Sequence, residues 1–274
     1  MSVTGGRYLL LVPMALALAA CGGGGGGGLS LDPVAKAATK TAKSGSEHAD
    51  FQARVELPSL GSSFTMTGSG DFDTVNHVGR MSVQFAGMPQ LKGKGEEVLD
   101  GTVIYMRFPL FERLLPAGKH WVKIDLQKAG RSAGIDFNAL MQSSSGDPAQ
   151  MLRYIEDASR GVHKVGAATV AGTSTTHYRA VVDFDKVAQA RPSEKSSIQR
   201  IEQVTGVKRV PVEIWVDRAG YVRKLTQAMT MRLPQGTMKM TTTYELSDFG
   251  QHVAVTPPPT DQVVDLSGLS GRTS

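Results

Sequence analysis

The sequence predicts an α+β domain in which one antiparallel sheet is covered on one face by helices. Three observations carry that expectation. From residue 51 onward most segments alternate apolar and polar residues and are joined by short turn signals in hairpin order. The helical segments cluster in the middle of the chain instead of alternating with strands, which argues against a parallel sheet. The chain has 274 residues, 41% hydrophobic and 20% charged, enough to bury a full core in one domain.

The first twenty residues precede that domain. Arg7 is followed by an apolar run from Tyr8 to Ala20, the pattern of a secretory signal peptide. The run is shorter than the ~20 residues a spanning helix needs. It ends in Leu18-Ala19-Ala20-Cys21, which matches the bacterial lipobox, so Cys21 is expected to carry a diacylglycerol anchor with the signal cut just before it. It is the only cysteine of the chain, so an internal disulfide and a Cys-rich zinc site are excluded. Gly22 to Gly28 then form an uninterrupted tether with a root-mean-square reach of roughly 15 Å. The expected organisation is a signal peptide over 1–20, a lipidated and glycine-rich segment over 21–30, one domain over 31–262, and an extended or disordered tail over 263–274.

Asp32-Pro33 supplies an N-cap and a first-turn proline for a helix over 32–43. Phe51 to Leu57 alternates as a half-buried strand. In the next run Phe64, Met66, Gly68, Gly70 and Phe72 share one face. A turn over 73–77 leads to a strand over 81–85, and Glu97 to Phe108 is a strand or hairpin with Asp100-Gly101 as its turn. His120 to Asp125 closes the first half of the sheet. Helices are expected over 135–142 and 148–159, the second stopped by Gly161. Strands follow over 162–170 and 175–184. Residues 185–206 read as one amphipathic helix or two pieces broken at Pro192. Strands over 210–217, 221–233 and 237–246 end the domain.

Residues that carry chemistry are sparse. The six histidines make no metal-ligand spacing, so no metal site and no cofactor is expected. No nucleophile elbow is present, and Cys21 is used by the anchor. Asp217 and Asp248 sit at turns, where aspartate is locally favoured. No catalytic constellation emerges and an enzyme is not expected. The net charge of +5 is mild and no dense basic run occurs, so nucleic acid is not an expected partner. Methionine is the unusual feature, with 12 in the chain. Met229 and Met231 share one face of the penultimate strand, and Met238 and Met240 share one face of the last. The short turn between makes the strands neighbours, so the four thioethers should meet on one surface, which Met66, Met81 and Phe85 could extend. Such residues fill irregular cores; a soft lining also suits variable acyl chains.

Four segments in order resemble a known family. They are Asp100-Gly-Thr-Val-Ile-Tyr-Met106 with Lys119-His-Trp121-Val-Lys-Ile-Asp125, Val165 to Tyr178, Val212-Glu-Ile-Trp215-Val-Asp217-Arg-Ala-Gly220-Tyr-Val-Arg-Lys224, and Ser247-Asp-Phe-Gly250 before a proline-rich end. The pattern, spanning about residues 30 to 262, is similar to the LppX/LprAFG-type lipoproteins of mycobacteria and related actinobacteria. The resemblance implies a LolA/LolB-like carrier fold: a strongly curved antiparallel half-barrel with helices over its concave face and an apolar cavity between. It also implies a lipid or glycolipid ligand.

Together these readings give a lipoprotein held by its lipid anchor on the outer face of the cell membrane. It would take lipid or glycolipid into an apolar cavity and carry it toward the envelope, with an export transporter as a partner. Met229, Met231, Met238, Met240 and Met66 are expected to line the cavity, with Leu140, Leu152 and Ile155 contributed by the helices. The alternative is a membrane-anchored interaction or assembly module with a filled core and no ligand.

Overall fold

The computed structural model describes residues 33–88, 93–133, 162–190, 192, 195–233 and 236–267. The signal peptide, Cys21, the glycine tether and the helices expected over 135–142 and 148–159 lie outside these residues. So do Leu140, Leu152 and Ile155.

Twelve strands form one curved, unclosed sheet. They are β1 (Ser46–Leu57), β2 (Ser62–Asp73), β3 (Val78–Ala86), β4 (Lys94–Asp100), β5 (Val103–Arg107), β6 (Trp121–Asp125), β7 (His163–Val170), β8 (Thr173–Asp183), β9 (Arg209–Asp217), β10 (Val222–Leu233), β11 (Gly236–Ser247) and β12 (Val263–Asp265). The spatial order is β12-β6-β5-β4-β3-β2-β1-β11-β10-β9-β8-β7. Two meanders, β1 to β6 and β7 to β11, therefore meet where β1 pairs antiparallel with β11 along His48–Glu56. The alternation in sequence becomes a division of faces: Phe51, Ala53 and Val55 are buried, while Gln52 and Arg54 between them are exposed.

Register carries that apolar face across the sheet. Val55 stands opposite Met240 and Phe64, Ala53 opposite Met66, and Met66 opposite Phe85. Three glycines on this face make room for rings: a β-carbon at Gly68 would collide with Phe51, one at Gly79 with Phe72, and one at Gly95 with Phe108. Phe108 in turn meets Phe85 and Phe111 edge-on, with centroids 5.4 and 5.5 Å apart. The opposite face carries polar pairs such as Lys224–Glu245 at 2.9 Å and Thr226–Thr243 at 3.0 Å.

Five helices are described: α1 (Pro33–Lys43), α2 (Pro109–Leu114), α3 (Leu126–Ala133), α4 (Phe184–Ala190) and α5 (Lys195–Thr205). In α1, Val34, Ala37 and Ala42 are buried, and the Thr41 hydroxyl accepts a hydrogen bond from the Val222 N–H at 2.9 Å, which pins the helix to β10. Helices α4 and α5 separate near Pro192 and share a small cluster of Val187, Ala188 and Ile198. Thus the second of the two expected arrangements, broken at Pro192, is the one formed. Neither α2 nor α3 was expected. Pro109 opens α2, and Asp125 caps α3 by accepting the Lys128 N–H at 3.0 Å.

Over its described part the tail takes the extended form of the two expected, and Val263–Asp265 adds a parallel strand to the edge of β6. The Asp125 N–H donates to Ser267 Oγ at 2.8 Å, and Lys123 pairs with Asp265 at 3.3 Å. These contacts join residues about 140 positions apart and leave no local signal in a polar segment.

Candidate functional site

The methionines meet as the short β10–β11 connection requires. Met229 stands directly opposite Met240 and Met231 directly opposite Met238, so all four lie on one face. It is the face that bears the core. Met66, Met231 and Met240 are buried, at 9%, 6% and 5% exposure; Met229 and Met238 are half-buried and packed against the same cluster. Met81 and Met106, also buried, extend the thioether surface toward β5. Met66 and the four paired methionines thus lie in or against one buried cluster on this face. Cys21 and the three helical candidates lie outside the described residues.

Two acids interrupt this apolar face. Glu97 lies in register between Met81 on β3 and Met106 on β5, and Glu47 is paired across to Phe72 on β2. Both are buried, at 8% and 2% exposure, and among the described residues one Glu47 carboxyl oxygen has no hydrogen-bond partner. Desolvation raises each carboxyl from 4.5 to about 7, so both hold their protons well above the usual carboxylate range. Burial, with the Glu97 charge second, also pushes the Tyr244 hydroxyl upward. Sequence reasoning missed both acids. The signal was present, since Glu47 is in phase with Ala49, Phe51 and Ala53 on the buried side of β1.

A second feature lies where α1 crosses the sheet. A cleft of about 300 Å³ opens between Lys36, Ala37 and Lys40 of α1 and Thr176, Tyr178 and Val216 of the sheet. A neighbouring cleft of about 400 Å³ shares Thr176, Val216 and Asp217 with it and reaches Ser174 and Arg218. Asp217 closes the β9–β10 turn, accepting the Tyr221 N–H at 2.9 Å and the Arg223 guanidinium at 2.7 Å. Burial opposes ionisation of this carboxyl, but those hydrogen bonds outweigh it and hold the group below its ordinary range. Turn-forming is therefore its observed role. Tyr221 stacks on Phe249 with centroids 4.6 Å apart, and the Lys40 ammonium sits 4.5 Å above the Tyr221 ring.

Among the described residues no group of three or more His, Cys, Asp or Glu side chains could hold a metal ion, and no helix is long and apolar enough to cross a membrane.

No protein-family model and no curated protein matches the chain. Among solved structures it is similar to the lipoprotein LppX of Mycobacterium tuberculosis, with a TM-score of 0.45 and 11% identity over 81% of this chain and 98% of that one. It is similar to LprF of Mycobacterium bovis, with a TM-score of 0.43 and 13% identity over 82% and 95%. The MucA/MucB complex of Pseudomonas aeruginosa matches at a TM-score of 0.33 and 14% identity over 84% of this chain and 60% of that one. At identities of 11 to 14% no residue role transfers from any of them.

Proposed function

We propose that this protein is a lipid carrier of the cell envelope, anchored through Cys21, which takes the acyl chains of a lipid or glycolipid against the apolar face of its sheet. The observation that carries this reading is the continuity of that face. It runs in register from Tyr178 on β8 through Ile214, Leu225 and Tyr244 to Phe51 on β1, with the paired methionines beside it. Each buried methylene of an acyl chain contributes about 0.8 kcal/mol, so chains laid on this face need no hydrogen bond to be held. Thioethers suit the task because an unbranched side chain adapts to chains of different shape. Carriage toward the envelope and an export transporter as partner belong to the same reading, as does the anchor's position on the outer face of the cell membrane.

The near-complete burial of Met231 and Met240 favours a second reading, an anchored interaction module whose core is already filled. One experiment separates the two. A fluorescent fatty acid is titrated into the full-length protein in neutral micelles, with Met229→Trp and Met238→Trp as space-filling variants. The carrier reading predicts saturable binding by the parent protein that the variants abolish while remaining folded. Absence of saturable binding in the parent, with each variant destabilised by about 1–3 kcal/mol, would instead establish the filled core.

A further inference from the structure

We infer that the clefts under α1 receive the phosphate-bearing headgroup of the lipid, making the preferred ligand an anionic phospholipid; this rests on the carrier reading and adds the ligand's charge class to it. Three observations converge on this end of the sheet. The first is charge. Lys36, Lys40 and Arg218 line the two clefts, are exposed, and among the described residues none of them pairs with a carboxylate. Lys40 instead donates to the Ala219 carbonyl and lies over Tyr221. Among the described residues the one acid lining the clefts, Asp217, is already matched by Arg223 at 2.7 Å, so the charge these residues offer to a ligand is positive.

The second observation is the kind of polar group on the floor. Thr176 and Tyr178 in the first cleft, with Ser174 in the second, present hydroxyls, which can donate to phosphate oxygens or to a glycerol or sugar attached to them. The third is continuity. Tyr178, which lines the first cleft, is also the start of the apolar lane through Ile214, Leu225 and Tyr244 to Phe51. A phosphate held in these adjoining clefts, with Lys36 in the first and Arg218 in the second, would therefore lie at the end of the surface on which the acyl chains rest. Free phosphate would use the cations and hydroxyls but not the lane.

Calorimetry on the full-length protein in neutral, sugar-headed micelles tests this with three probes: dioctanoyl phosphatidic acid, dioctanoylglycerol and inorganic phosphate. Three cations contributing a factor of about five each give phosphatidic acid an advantage of about a hundredfold over dioctanoylglycerol. Substituting Lys36→Gln and Arg218→Gln together removes about twentyfold of that advantage and leaves dioctanoylglycerol unchanged, whereas Lys36→Arg keeps it. Equal affinity for the two lipids overturns the inference and leaves the carrier reading standing. So does a double variant that retains the full preference. Inorganic phosphate binding as tightly as phosphatidic acid overturns it in favour of a free-anion site. Binding of neither lipid overturns the carrier reading along with it.

Discussion

Replacing Glu97 with glutamine makes the protein more stable above neutrality and leaves it little changed in mild acid. The carboxyl is buried between Met81 and Met106, and desolvation raises it from 4.5 to about 7. The folded state therefore binds this proton more tightly than the unfolded chain does. The stability this gives is fully present below 4.5, declines as the pH rises, and is lost once the pH passes about 7. Each tenfold difference in proton affinity between the two states is worth about 1.4 kcal/mol, so the complete loss is about 3 kcal/mol. Glu47, raised to about 7 by the same cause, adds a second contribution of the same sign. Glutamine keeps the shape and never ionises, so Glu97→Gln removes one of the two contributions. The assay is urea unfolding of the full-length protein in neutral micelles, read from Trp121 and Trp215 fluorescence, at about pH 5 and about pH 8. The parent loses stability between those values; Glu97→Gln loses less and exceeds the parent at the higher pH by up to about 3 kcal/mol. A variant with the parent's full pH dependence and no gain at the higher pH would show that burial of Glu97 does not set the alkaline limit of stability.

Three further outcomes are expected. Gly68→Ala drives a methyl into the Phe51 ring and costs about 1–3 kcal/mol, an effect that shrinks in a Phe51→Leu background; thermal melts of the two variants and their combination measure this coupling. Asp217→Asn removes the charge that Arg223 meets at 2.7 Å and costs about 2 kcal/mol. Because the folded carboxyl lies below its ordinary range, that difference is present at neutral pH and vanishes as the pH falls through the acid range, which parallel unfolding curves read directly. Asp125→Ala uncaps α3, costing about 1 kcal/mol and lowering Tm by about 2–4 °C.

What could be read from the sequence was whatever depends on short range. Side chains of a strand alternate by covalent geometry, so Phe51, Ala53 and Val55 declare a buried face without any partner. A short connection forces β10 beside β11, so the meeting of the four methionines followed from residues 229–240 alone. Other features depend on distant partners. The six residues of α2 and eight of α3 are too short to stand on intrinsic helicity and form where Pro109 and Asp125 meet the sheet. Strand β12 exists because the edge of β6 was open to it. The glycine pattern of β2 was legible as a face, but its purpose, room for the Phe51 ring at Gly68 and close approach of β3 at Gly70, needed the register. The clefts under α1 were missed for the same reason, since Lys36, Tyr178 and Arg218 are brought together only by the packing of α1 across β9 and β10.

Lipid carriage is tested most simply by the composition of the protein as cells make it. Full-length protein, purified without exchange into lipid-mimicking detergent, is extracted with organic solvent and the extract is analysed by mass spectrometry; the anchor proposed on Cys21 would be covalent and would stay with the protein. A carrier releases an acyl lipid in an amount near one molecule per chain, depleted from Met229→Trp and Met238→Trp protein made in parallel. An extract free of lipid, from a folded protein, would contradict carriage.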